Sequence, residues 1–160
     1  MPHHDELHPD LKRLLDDAID FACSAKKTTD FRFPFVLTAT SSGKEHRVVV
    51  VADADDIARA GLEEARRRIA CAPLEVLRYV IAYDGLLFST TGKELPAFMF
   101  EAGQRDQDFA FVCYQRYRAE ANTELVLIVD ERGGFLRKEP NTLGSRPPEP
   151  RKPWWKRILG

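Results

Sequence analysis

The class of the fold is set chiefly by residues 95–117, LPAFMFEAGQRDQDFAFVCYQRY. The two ends of this stretch, residues 95–101 and 109–117, carry clusters of large apolar and aromatic side chains, and the residues between them are polar or small. Two apolar runs that are separated by a short polar connection containing glycine are typical of a β-hairpin. We therefore expect two neighbouring antiparallel strands here.

Further strands are expected on both sides of this hairpin. They cover residues 31–40, 46–52, 76–83, 86–89 and 125–130, with turns at residues 41–44, at Asp84-Gly85 and at residues 91–93. Pro34 has no backbone N–H and cannot complete a ladder of hydrogen bonds. The strand that contains it is therefore predicted to lie at an edge of the sheet, or Pro34 is expected among the first residues of the strand.

Two segments, residues 9–26 and 55–71, have apolar side chains at helical spacing. The two stripes are formed by Leu11, Leu14, Leu15, Ala18, Ile19 and Ala22, and by Ala58, Leu62, Ala65 and Ile69. The element order is then α-β-β-α-β-β-β, which predicts an α+β fold. We expect an antiparallel sheet of about five to six strands with both helices packed on one face, the simplest way to bury both stripes.

This element order is similar to that of small α+β adaptor folds, such as roadblock-like or longin-like domains and certain bacterial secretion chaperones. The resemblance is one of topology. It implies a fold class, and no functional residue is carried over from those families.

The chain is predicted to have one folded domain with two appendages. Residues 1–8 are expected to form a flexible N-terminus, residues 9–132 the α+β domain, and residues 133–160 a proline-rich basic tail. Half of the ten prolines of the chain fall in residues 140–153. A segment so rich in proline is expected to continue neither a sheet nor a helix.

Charge is distributed unevenly along the chain. The formal net charge is −1, but residues 145–160 carry five basic residues against one acidic residue, which gives +4 and leaves −5 on the rest. A mildly acidic body argues against nucleic acid as a partner.

Both tryptophans of the chain, Trp154 and Trp155, lie in this tail, shortly before Arg157 and Ile158. Tryptophan and arginine are over-represented at binding hot spots. Three interpretations stand: docking on the chain's own body, docking on a protein partner, and anchoring at a membrane surface. Basic residues contribute about 1 kcal/mol each at an anionic membrane, and the acidic body opposes that approach. Protein is therefore the favoured docking site, and a membrane surface is disfavoured.

The cysteines indicate a reducing compartment. Cys23, Cys71 and Cys113 are odd in number, widely spaced and placed among apolar neighbours. This pattern predicts buried thiols in a cytoplasmic protein more than a disulfide framework. The sequence also begins without the features of a secretory signal, and its longest apolar run is far shorter than the ~20 residues of a membrane span.

No sequence motif points to a cofactor, a metal or a catalytic nucleophile. The glycine-rich signatures of nucleotide-binding loops and the G-x-S-x-G elbow of hydrolases are both missing from the sequence. Three of the four histidines lie in the first eight residues, and His46 is the remaining one. We therefore expect no cofactor and no metal site.

One group of charged residues near the central hairpin has two interpretations. Asp84 is predicted at a turn, Glu101 ends the first strand of the hairpin, and Arg116 lies on the second, with Arg105 and Arg118 nearby. Pairing of the strands would bring Glu101 opposite an arginine. The result is either a cross-strand ion pair on a solvated face or a binding site for a ligand or a partner.

These observations favour a non-enzymatic protein-interaction domain of the adaptor, chaperone-like or immunity type, whose tail docks on protein. Unpaired strand edges would also allow a homodimer. One alternative is a small enzyme or ligand-binding domain that uses Asp84, Glu101 and an arginine. Another is a peripheral membrane protein that is anchored by its C-terminal tail.

Overall fold

The computed structural model describes residues 7–28, 34–50, 57–119, 125–127 and 134–143. It confirms the α+β class, and the order of elements roughly matches the predicted one, with five strands after the second helix where three were expected. Helix α1 is followed by strands β1 and β2, helix α2 and a further run of strands. The bounds are α1 Pro9–Thr28, β1 Phe35–Thr40, β2 Glu45–Val49, α2 Ile57–Ala70, β3 Val76–Phe88, β4 Glu94–Gln104, β5 Phe109–Ala119, β6 Leu125–Leu127 and β7 Gly134–Pro140.

The strands form one antiparallel sheet in the order β2-β1-β3-β4-β5, and both β6 and β7 pair with β5. The expected hairpin of residues 95–101 and 109–117 is confirmed as the pair β4–β5, in which Phe100 lies opposite Cys113. β1 is an inner strand, because it pairs with both β2 and β3. The prediction of an edge strand is therefore wrong, and the alternative, a place at the start of the strand, agrees with the structure. Pro34 lies just before β1, where its carbonyl accepts a hydrogen bond from the Val50 N–H at 2.7 Å.

The dipeptide Asp84-Gly85 does not form a turn, contrary to the prediction. β3 runs without interruption from Val76 to Phe88, and the turn follows it, with Gly92 at a φ of 79°. Gly85 serves close packing instead, since a Cβ on it would lie 2.7 Å from the Cγ of Met99 on β4.

α1 covers one face of the sheet, which we call the α1 face. Its buried leucines and alanines pack on alternate residues of the strands, including Leu37, Val80 and Phe100. The stripe of α1 is almost entirely inaccessible, with Leu11, Ala18 and Ala22 at 0 % exposure. Burial of these apolar side chains stabilises the packing of the helix on the sheet.

α2 packs on the opposite face, the α2 face, so the expectation that both helices share one face is wrong. Ala65 and Ile69 contact Val36, Tyr79 and Ile81, which are the strand residues that alternate with those of the α1 face. The physical reason is visible in the runs Phe35-Val36-Leu37 and Tyr79-Val80-Ile81-Ala82. Successive side chains of a strand point to opposite faces, so a continuous apolar run needs cover on both.

The folded body extends further than residues 9–132 at both ends. Leu7 is already buried against the α1 stripe. β7 lies beyond the predicted boundary, pairs with β5, and is followed by Leu143, which is buried on the α2 face. The tail residues 144–160 lie outside the described residues.

The cysteines agree with the prediction in two cases out of three. Cys23 and Cys113 are buried, and burial raises the pKa of the Cys113 thiol to about 12. Cys71, which directly follows α2, is exposed, because the helix stripe that would bury it ends at Ile69. Among the described helices none is long and apolar enough to span a membrane.

Candidate interaction site

The carboxylate of Asp84 lies on the α1 face, where it accepts a hydrogen bond of 2.6 Å from the Tyr117 hydroxyl. Tyr117 is buried and stacks on Phe98 with ring centroids 4.5 Å apart. Burial, and then the adjacent Asp84, raise the pKa of the Tyr117 hydroxyl. The hydroxyl therefore stays protonated and acts as a hydrogen-bond donor.

The carboxylate of Glu101 lies on the α2 face and is 3 % exposed. Arg66 of α2 donates to both of its oxygens, with its Nε 3.1 Å from Oε2. Glu139 of β7 contributes a second carboxylate, 3.7 Å from Arg66 Nη2. The arginine partner of Glu101 therefore comes from α2 and not from the neighbouring strand, and it joins the helix to the sheet.

Arg116 does not face Glu101. In the pairing of β4 with β5, Glu101 lies opposite Val112 and Arg116 lies opposite Ala97. The two positions are four residues apart along β5, or roughly 13 Å at the usual rise of a strand. The sheet also places Asp84 and Glu101 on opposite faces, so these two carboxylates do not converge on one ligand.

Arg105 has a structural role among the described residues. It is 5 % exposed, and its guanidinium donates to the carbonyl oxygens of Val76 at 2.9 Å, Pro73 at 3.2 Å and Leu143 at 3.4 Å. It therefore joins the chain after α2, the start of β3 and the last described residues of the chain.

The remaining predicted site residues, Trp154, Trp155, Arg157 and Ile158, lie outside the described residues. Within the described ranges, no cluster of three or more histidine, cysteine, aspartate or glutamate side chains could hold a metal ion.

β2 is exposed along its whole length, since all five of its residues are exposed. Two of them are apolar: Val48 is 43 % exposed and Val49 is 50 % exposed. Across the described part of the chain, β2 pairs with β1 alone. Of the strands that the structure describes, none lies along the other edge of β2, which we call its outer edge.

The direction of the backbone groups on β2 follows from its pairing with β1. The Lys44 carbonyl accepts from Thr40 N–H at 3.0 Å, and Val50 N–H donates to the Pro34 carbonyl. Backbone groups alternate in direction along a strand. The even-numbered residues therefore bond to β1, and Glu45, Arg47 and Val49 point their N–H and C=O groups outward.

Two side chains of β2 reach back towards α1. The Arg47 guanidinium carbon lies 3.7 Å from the centroid of the Phe21 ring, a cation–π contact. Partial burial, followed by the charge and hydrogen bond of Asp17, raises the pKa of Glu45, although Arg13 opposes this shift. The carboxylates of Glu45 and Asp17 therefore lie close together at this end of β2, which also carries Arg47.

Sequence reasoning recognised the strand at residues 46–52 but did not identify it as the open edge. The signal that could have done so is the polar start of the strand, Glu45-His46-Arg47. Charged side chains are typical of exposed edge strands. The partner of Glu101 had no comparable signal, because Arg66 looks like any solvated residue of α2.

No known protein family matches the chain, and comparisons with curated proteins and with solved structures found no significant match.

Proposed function

We propose that this chain is a non-enzymatic protein-interaction domain of the adaptor, chaperone-like or immunity type, which takes up an extended protein segment along the outer edge of β2. The observation that carries the proposal is the open edge itself. Glu45, Arg47 and Val49 direct three N–H and three C=O groups outward. Addition of a strand to such an edge is a recurring mode of peptide recognition.

The exposed side chains of β2 support this function. Val48 and Val49 leave apolar surface on both sides of the strand, because neighbouring residues point to opposite faces. A docked segment would cover both valines while its backbone satisfies the outward groups. Main-chain hydrogen bonds would then give affinity, and the side chains beside them would give specificity.

The basic tail is proposed as a second protein contact. Trp154 and Trp155 supply two large aromatic side chains, and Arg157 supplies a charge that can pair with a carboxylate. Cytoplasmic localisation is part of the same proposal, and it is supported by the composition of the chain and by its three free cysteines.

The geometry does not favour the alternative of a small enzyme. Asp84 is held by Tyr117 on one face of the sheet, and Glu101 is held by Arg66 on the other. A pair of carboxylates acting on one substrate would need to share a face.

The experiment is affinity capture with the full-length protein and its Val49→Pro variant. Proline at this position removes an outward N–H without removing a hydrogen bond to β1, and edge strands tolerate proline there. We expect the captured protein to be lost from Val49→Pro while the melting temperature stays close to that of the wild type.

Phe88→Ser is the matched control, since Phe88 is 68 % exposed at the far end of β3. Capture should survive this substitution. A Trp154→Ala, Trp155→Ala double variant reports the contribution of the tail. Binding that is unaffected by Val49→Pro would contradict docking at β2.

A further inference from the structure

The order of charges along β2 is self-complementary. Glu45 and Arg47 are two residues apart, lie on the α1 face of the sheet, and flank His46. In an antiparallel pair, directly opposite residues point to the same face. A second β2 related by a two-fold axis that passes midway between the two copies of His46 would therefore place each Glu45 opposite Arg47 of the second copy.

We propose that the segment taken up by the edge of β2 is β2 of a second copy of this chain, paired antiparallel about His46, so that two sheets join into one. This inference rests on the proposed function and names its partner. The dimer is isologous, because the same strand edge serves both copies.

The backbone supports this register. Glu45 and Arg47 both point their N–H and C=O groups outward, so the two opposed pairs exchange four hydrogen bonds. Val49 then lies opposite Gly43 of the second copy, in the turn that precedes β2.

The charges support it as well. Glu45 has the like charge of Asp17 beside it, which contributes to the raised pKa of its carboxyl group, and Arg13 compensates only in part. An arginine from the second copy would supply the missing positive charge. Arg47 keeps its position over Phe21, from which its guanidinium can approach the neighbouring strand on the same face.

The contact is small, so we expect a weak dimer with a dissociation constant in roughly the micromolar range. Substitution can reverse the charges of the two proposed ion pairs between Glu45 and Arg47. Like charges placed directly opposite each other destabilise a strand pair. This permits a test that depends on complementary charge and needs no unidentified partner.

The test uses Glu45→Lys and Arg47→Glu as two separate full-length variants in sedimentation velocity at high micromolar concentration. Alone, each variant places like charges opposite each other, and we expect its dissociation constant to rise more than about tenfold. Mixed in equal amounts, the two variants restore both opposite-charge pairs, and we expect a heterodimer with the affinity of the wild type.

The matched controls are Glu63→Lys and Arg59→Glu, which make the same charge changes on the exposed surface of α2. These should leave the association unchanged, both alone and when mixed. Thermal melts of all four variants verify that each one is folded, since Arg47→Glu also removes the contact with Phe21.

Three results would overturn the proposal. These are a wild type that stays monomeric at high micromolar concentration, a dimer that neither β2 variant weakens, and a mixture that fails to form the heterodimer. The capture experiment with Val49→Pro separates these outcomes from failure of the proposed function. A monomer that still captures another protein through β2 retains that function and loses only the second copy as its partner.

Discussion

β2 and β7 each pair with a single neighbouring strand in the described sheet. They differ in the further contacts that attach them to the body. β7 is tied to the body by Glu139, which approaches Arg66, and by Lys138, whose Nζ lies 5.6 Å from the centroid of the Phe111 ring. It also ends in Pro140, which has no N–H to offer to another strand.

The residues that follow β7 strengthen this attachment. Asn141 Nδ2 donates to the carbonyls of Gln104 at 2.6 Å and Gln107 at 2.7 Å. Thr142 N–H donates to the Tyr79 hydroxyl at 3.3 Å, and Leu143 is buried. Within the described parts of the chain, β2 is held by its pairing with β1 and by two side chains that reach α1. The difference indicates that β7 completes the fold, and it supports the proposal that β2 serves association.

The largest effect on stability is expected from Arg105→Ala, which removes the hydrogen bonds that join the residues after β7 to the start of β3 and the segment after α2. The carbonyl oxygens of Val76 and Leu143 lose the Arg105 donor in a buried place, whereas the Pro73 carbonyl keeps the hydrogen bond from Val76 N–H. We expect the free energy of unfolding to fall by about 3 kcal/mol in urea titration, since an orphaned buried polar group costs ~1–3 kcal/mol. Arg59→Ala, at an exposed position on α2, is the control. A loss below about 1 kcal/mol would mean that Arg105 does not fasten these segments.

A smaller loss in the free energy of unfolding is expected from Gly103→Ala. A Cβ at this position would lie 2.5 Å from Tyr79 Cε1 and 2.9 Å from Asn141 Oδ1. Tyr79 is fully buried and cannot move aside, so we expect a loss of about 2 kcal/mol, as is usual for overpacking. Combining it with Tyr79→Leu should cost less than the sum of the two single changes. Additive losses would argue that the contact is not the cause.

Glu101→Gln tests the ion pair that joins α2 to the sheet. The buried carboxylate loses its charge while Arg66, which is 38 % exposed, can turn to solvent. We therefore expect a loss of about 1–2 kcal/mol, less than for a fully buried pair. Glu139→Gln is the matched control: its side chain is more exposed and more distant, and it should cost less than about 0.5 kcal/mol. Equal losses for the two variants would contradict the dominant role of Glu101.

What could be predicted from the sequence was local. The spacing of Leu11, Leu14, Leu15 and Ala18 predicted α1, and the apolar runs on either side of residues 102–108 predicted the β4–β5 hairpin. These signals arise within one element or between neighbours in the chain, where periodicity and turn chemistry act directly.

What could not be predicted depends on contacts between distant residues. The partner of Glu101 is Arg66, 35 positions away, and no pattern within α2 distinguishes that arginine. Gly85 resembles a turn residue, but it accommodates Met99 on the next strand. The open edge of β2 is likewise a property of the assembled sheet, because it depends on which strands take the central places.

The most direct measurement is amide hydrogen exchange along β2. In dilute protein, the Val50 amide, which is bonded to the Pro34 carbonyl, should exchange slowly, while the outward amides of Glu45, Arg47 and Val49 should exchange quickly. At concentrations that favour the dimer, or with the captured partner present, those of Glu45 and Arg47 should slow at least about tenfold. Outward amides that stay fast on association, or that are already slow in dilute protein, would contradict docking at an open β2 edge.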